Sequence, residues 1–478
     1  MKAKIIKYGA LVLIMTLLSC EKILDVKQIS TITNEVFWQN EGDFYTYLNG
    51  IYTRYRSHMD NFTLSEERGE MWAQGYNARF SNYWSQNITP GNTVDWTSYY
   101  GTIGHINLLL SKIEPFTFSN SATKNRIMAE AYALRAAVYF YIARIWGNVP
   151  LVLDPVLSAT NPLYKRSPVS DVFAQINEDI TKALSLFPEE TYVNKNKWSK
   201  PAVYALLADV KMWTGTVLGG GSSDFNAAID AINKVENSGV SLLSTFGTIF
   251  DTKKNNEVIF SIYLDMSEYT SSVYLYMWPR FDTSFGADNY NDLPSGRGEP
   301  QPQAGFVLSK EALALINTYP GDKRVSRTYI PELYKGVARY YWPNKFRGTL
   351  YGETRYADND IILYRLADLL LLKAEAYADL NQADDAVKYL NLVRTRAGIP
   401  NYVFTTQAAL QKEILDERGR ELFSELKRWY DLRRAHAVGV IDLYKYVPNL
   451  VGKTTPLYWA VHTNVMSKDS LLVQTPGY

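Results

Sequence analysis

Residues 358–398 read DNDIILYRLADLLLLKAEAYADLNQADDAVKYLNLVRTRAG, and residues 412–436 read KEILDERGRELFSELKRWYDLRRAH. In the first stretch Leu366, Leu369, Leu370, Lys373, Ala374 and Tyr377 recur at spacings of three and four, the mark of a helix with one face against a neighbour. Ala374, Ala376 and Ala378 allow that neighbour close approach. Start signals at Asn381–Asp385 open a second helix with Ala386, Leu390 and Val393 on one face, and Gly398 and Pro400 stop it. This is a helical hairpin whose small-residue and aromatic spacing is that of a tetratricopeptide unit. The second stretch predicts one more helix, with Leu422, Leu426 and Trp429 buried. Asp416 with Arg420 and Glu425 with Arg428 are expected to pair along its exposed surface, each pair contributing about 0.2–0.5 kcal/mol.

Similar hairpins are expected upstream. Apolar periodicity predicts helices at about 41–58, 97–113, 122–146 and 167–186. SKPAVYALLADVKMWTG starts another, with Ser199 as a candidate cap and Pro201 in the first turn, and DFNAAIDAINKVENSG is its partner. The glycines at 219–221 between them read as a flexible linker, because no Lys-Ser/Thr follows them and no strand precedes them, as a phosphate loop would need. The expected class is mostly α, a stack of tetratricopeptide-like hairpins sharing a core.

Three separated segments, YRLADLLLLKAEAY…LNLVRTRAG, ERGRELFSELKRWYDLRR and AEAYALRAAVYFYIARIWGNVPLV at 129–152, resemble the SusD/RagB family of nutrient-binding outer-membrane lipoproteins of Bacteroidetes. Lys2, Lys4 and Lys7 precede an apolar run, Gly9–Leu18, too short to span a bilayer, so residues 1–19 read as an export signal. Leu17, Leu18, Ser19 and Cys20 then approximate the lipobox that the resemblance implies. Cys20 is the only cysteine, which excludes a disulfide within the chain and suits an acylated new N-terminus carrying palmitate. Residues 20–478 are then expected to form one SusD-like domain, lipid-anchored to the outer membrane. Glu21 and Asp25 are compatible with an outward-facing position.

Fifty basic against 49 acidic side chains leave a net charge of +1, which supplies no basic surface for nucleic acid. Four histidines, His58, His105, His436 and His462, show no metal spacing, no zinc-protease or nucleophile-elbow motif appears, and no cofactor is expected. Glycoside hydrolysis needs only two well-placed carboxylates, and Glu66, Glu67 and Glu70 stand nearest an aromatic loop.

Aromatic side chains make up 14% of the chain, with 36 Tyr and 11 Trp. Many fall in two segments with little periodicity, about 60–96, an exposed loop or a folded cap, and 265–356, just after EVIFSIYL, which reads as a short strand. We expect these loop-rich insertions to come together as a ligand-contacting face. A sugar ring presents C–H groups on its faces and hydroxyls around its rim. Trp72, Tyr76, Trp84, Trp96, Trp278 and Trp342 would offer platforms, and Asn77, Arg79 and Arg280 rim hydrogen bonds. For any one of these rings a core position is the alternative. At about 0.5–1.5 kcal/mol per stacked ring, two or three platforms give micromolar to millimolar affinity after ordering costs. The resemblance implies an oligosaccharide-capturing lipoprotein that passes its ligand to a SusC-like TonB-dependent transporter. Peptides or another nutrient, and less so glycoside hydrolysis, are the alternatives.

Overall fold

The computed structural model describes residues 37–75, 81–155, 162–279, 284, 286–294 and 305–478. By internal contacts the chain separates into residues 1–46 and residues 47–478. Within the first unit Asn40 Oδ1 accepts from Gly42 N (2.9 Å) while Asp43 Oδ2 accepts from Asn40 N (2.9 Å), a reciprocal cap on α1 (Glu41–Met59).

Everything that follows belongs to the second unit, where the expected helices form with ends shifted by one or two residues. They are α2 (Thr97–Ile113), α3 (Ser121–Trp146), α4 (Val169–Leu186), α5 (Lys200–Val217) and α6 (Ser222–Glu236). Helix α3 packs on α4, and α5 on α6. The glycine linker between α5 and α6 is a tight turn: Gly220 N donates to Thr214 O and Gly221 N to Gly215 O, both at 3.0 Å. Ser199 precedes α5 without capping it by its side chain.

The stretch from Asp358 divides. Residues 361–365 form a strand, and the helix begins only at Leu366, as α7 (Leu366–Asp379), followed by α8 (Ala383–Ala397). Leu366, Leu370, Ala374 and Ala378 of α7 interleave with Ala386, Leu390 and Val393 of α8. Gly398 closes α8 with φ 75°, a left-handed cap that suits glycine. Lys373, on the apolar stripe, is buried because its ammonium reaches Glu236 (2.5 Å), Asn233 (2.6 Å) and the Tyr389 hydroxyl (2.7 Å), tying this hairpin to α6.

The last predicted helix is broken. Helix α9 (Gln407–Glu421) ends before a turn in which Ser424 (φ 59°) and Leu426 (φ 61°) are left-handed, and α10 (Arg428–Ala437) follows. Neither ion pair assigned to its surface forms; apart from Asp416, which stays at the surface, the charges named below enter buried pairs, because α9 is covered on its charged side. Arg365 donates to Glu257 (2.9 Å), Glu421 (2.6 Å) and Glu425 (2.6 Å), all inaccessible to solvent. Arg324 joins Asp322 (2.7 Å), Glu417 (2.6 Å) and Glu421 (2.9 Å). Asp416 pairs instead with Lys412 (2.6 Å) and Arg428 with Glu70 (2.5 Å). A continuous helix would turn Glu425 away from Arg365 and from Lys345, which it holds at 2.7 Å; the left-handed turn keeps it there.

Strands are short and paired antiparallel: β1 (Trp72–Gln74) with β3 (Phe306–Leu308), β2 (Val258–Ile262) with β8 (Ile361–Arg365), β4 (Tyr329–Tyr334) with β5 (Val337–Pro343), and β6 (Thr349–Tyr351) with β7 (Thr354–Tyr356). Strand β2 is the one expected from EVIFSIYL. The structure is thus mostly helical, with helical hairpins as scaffold and the strands in the insertions between them. No described helix is long and apolar enough to cross a membrane.

Candidate ligand-contacting face

The loop 60–75 is fixed at both ends. At one end Glu66 Oε1 accepts the backbone N–H of Lys427 (3.0 Å) and of Arg428 (3.5 Å), satisfying the free donors that open α10. Trp429 N donates to Ser65 O (3.1 Å). Burial pushes the Glu66 carboxyl up to about 7, against the hydrogen bonds it accepts. At the other end Trp72, Ala73 and Gln74 pair with Leu308, Val307 and Phe306, and Gly75 N donates to Gly305 O (2.9 Å). Ser309 adds N–H to Met71 O (3.0 Å) and Oγ–H to Glu70 O (2.6 Å). The two aromatic-rich segments are therefore joined by a three-residue ladder, whose open end lies at Gln74–Gly75 and Gly305.

The β4–β5 hairpin packs beside it. Lys335 (φ 51°) and Gly336 (φ 77°) make a two-residue turn with both dihedrals positive, which suits the twist of a hairpin. Gly336 N donates to Asp288 Oδ2 (2.7 Å), and Asn289 holds Leu333 N (3.0 Å) and Pro331 O (2.7 Å). Buried Glu332 accepts from Trp342 Nε1 (2.5 Å) and from the Tyr334 hydroxyl (2.9 Å), setting both rings. Around Ala287, Leu293, Val307 and Trp342 pack the half-buried Ala73, Tyr290, Tyr334 and Tyr340. The exposed guanidinium of Arg339 lies 5.2 Å from the ring centres of both Tyr334 and Tyr340. Half-open tyrosine rings with an arginine between them are suited to stacking on a neutral ring and hydrogen-bonding its rim.

The residues expected from sequence are distributed differently. Trp72, Trp96, Trp278 and Trp342 are 1–4% exposed and fill the interior, a correction to their assignment as open platforms. Each finds a better partner inside. Trp72 stacks on Phe423 at 4.8 Å and donates to Glu66 (3.2 Å). Trp96 stands edge-on to Trp146 at 5.6 Å. Trp278 donates to Phe346 O (3.0 Å) and lies against Gly348, where a Cβ would come within 2.6 Å of the indole. Trp84 is half-buried, with its indole N–H on Trp72 O (3.0 Å). Tyr76, Asn77, Arg79, Arg280 and Cys20 lie outside the described residues. Glu66, Glu67 and Glu70 are buried, Glu66 as a helix cap and Glu70 on Arg428, so they do not form an open acid–base pair. No group of His, Cys, Asp and Glu that would hold a metal occurs among the described residues. Sequence reading missed Tyr334, Arg339 and Tyr340; the Lys335-Gly336 dipeptide between two aromatic-rich runs was the available hairpin signal.

Residues 279–478 match the SusD family, and residues 22–212 match a family described as starch-binding, associating with the outer membrane. The chain is 26% identical over 480 residues to SusD-like protein P38 of Formosa agariphila, covering 87% of this chain and 88% of that one. It is 23% identical over 436 residues to the starch-binding protein SusD of Bacteroides thetaiotaomicron, covering 79% and 76%. Among solved structures, B. fragilis NanU is similar with a TM-score of 0.80 at 29% identity, covering 95% of this chain and all of that one.

Proposed function

The chain belongs to the SusD family, and from that membership we propose that it is an oligosaccharide-binding lipoprotein of the outer membrane, anchored through acylated Cys20 and facing outward. It captures a glycan and passes it to a SusC-like TonB-dependent transporter, and it catalyses no reaction. The single observation that supports capture is the ladder between β1 and β3, which brings both aromatic-rich segments to one place beside Tyr334, Arg339 and Tyr340. The names of the related families and proteins point the same way: one family is described as starch-binding, and a curated relative is named a starch-binding protein. Trp84 and the Tyr334–Arg339–Tyr340 group are assigned to sugar contact, together with Tyr76, Asn77, Arg79 and Arg280, which flank the ladder or the hairpin's neighbour segment in sequence.

A glycan array probed with the mature chain tests capture, and incubation with the bound glycan should yield no new reducing ends. An array silent for glycans but positive for peptides would replace the ligand class. Cys20→Ser should move the chain out of the outer-membrane fraction and abolish palmitate labelling. Purification from outer membranes should bring down the transporter, and its absence with and without glycan would refute the delivery step.

A further inference from the structure

A second concavity, of about 490 Å3, opens elsewhere in the described residues, between the first turns of α2, Pro150 and Val152 after α3, residues 162–164, and the C-terminal stretch Val465–Leu472. Its size falls within the roughly 300–1,000 Å3 of small-molecule sites. The walls are tied together. The Tyr100 hydroxyl donates to Pro150 O (2.7 Å), and Tyr164 N donates to Asp469 Oδ2 (2.8 Å). Of its lining residues Trp96 alone, the last residue of the 60–96 segment, belongs to either aromatic-rich segment, and none takes part in the β1–β3 ladder.

The floor is unusual for a helix. Gly101 and Gly104 sit within α2, where glycine is among the least favourable residues. Neither has a positive φ, so conformational freedom does not explain them, and no atom lies within 4 Å of where either Cβ would stand, so close packing does not either. Both line the cavity. Their effect is to leave a stretch of bare helix facing the opening. Beside it stand the half-buried rings of Tyr100 and Tyr164, while Thr97, Lys468 and Asp469 supply hydrogen-bonding groups whose charges cancel.

We propose that this cavity is a saccharide subsite separate from the β1–β3 face, taking one or two uncharged sugar rings with a C–H face on the glycine floor. The proposal rests on the glycan reading above. A flat, neutral, hydroxyl-rimmed ring matches a bare floor flanked by aromatic edges with balanced charges beyond them. A long oligosaccharide reaching both sites would bind more tightly than one reaching either.

The test fills the floor without disturbing the fold. Gly101→Leu and Gly104→Leu, alone and together, are compared with Gly50→Leu on α1, where the added Cβ also meets nothing within 4 Å. All should unfold at temperatures no lower than the wild type. Solution titrations use maltoheptaose, laminarihexaose and cellohexaose. For a sugar that the wild type binds, the double variant should bind about tenfold or more weakly, or lose one of two sites, while Gly50→Leu binds as the wild type does. A double variant that keeps wild-type affinity and stoichiometry overturns the subsite alone. A wild type that binds none of the three overturns the glycan reading, and the subsite with it.

Discussion

The carboxylate of Glu66 accepts the amide N–H of Lys427 at 3.0 Å, across 361 residues of sequence. That contact makes a loop near the beginning of the chain the cap of a helix near its end.

Its charge state sets the first prediction. Burial raises the carboxyls of Glu66, Glu130 and Asp379 to about 7, above their unfolded values, so their contribution is full at low pH and is lost as pH rises through about 4.5 to 7. Burial lowers His58 to about 4, so its contribution is lost as pH falls from about 6.5 to 4. Three groups oppose one, and the folded chain should be more stable at pH 5.5 than at 7.5 in urea titrations. Glu66→Gln keeps an acceptor for Lys427 and should flatten the dependence; a wild type whose stability climbs steadily toward pH 7.5 contradicts this.

Removing Arg365 leaves Glu257, Glu421 and Glu425 buried with less compensation. Arg365→Met should cost about 3–5 kcal/mol of unfolding free energy. A loss near 1 kcal/mol, the scale of an exposed pair, would show that water reaches this network.

Binding and stability should separate between neighbouring aromatics. Tyr340→Ala and Arg339→Ala should weaken glycan binding by about 0.5–1.5 kcal/mol, roughly two- to tenfold, with little change in unfolding. Trp342→Ala, two residues further along β5 and buried, should cost about 3–5 kcal/mol of stability. Equal effects of Arg339→Ala and the wild type on every bound glycan would remove the hairpin from the contact face.

Ser424 holds a left-handed conformation with φ 59°. Ser424→Gly should be neutral or stabilising by up to about 1 kcal/mol, while Ser424→Val should destabilise by about 1–3 kcal/mol, read from urea midpoints.

The helical hairpins were legible because their cores are local: Leu370, Ala374 and Ala386 meet neighbours a few turns away, and periodicity records that. The break after Glu421 was not legible. Glu425 leaves the helix to reach Arg365 and Lys345, 60 and 80 residues distant, and no local propensity encodes such partners. The tryptophans failed for a related reason. Composition indicated that rings were plentiful, but whether Trp72 faces a sugar or Phe423 depends on a residue some 350 positions later. Tyr334, Arg339 and Tyr340 carried a local turn signal that was passed over among the aromatic excess.

The cap on α10 also orders events in time. Until residues 427–429 are made, Glu66 has the nearby Trp72 indole N–H to accept but not the backbone donors it caps, so the loop leading into β1 lacks this anchor through most of synthesis. A chain cut short before Lys427 would keep its early helical hairpins and lack the anchored loop, and with it the recognition surface that gives the molecule its use.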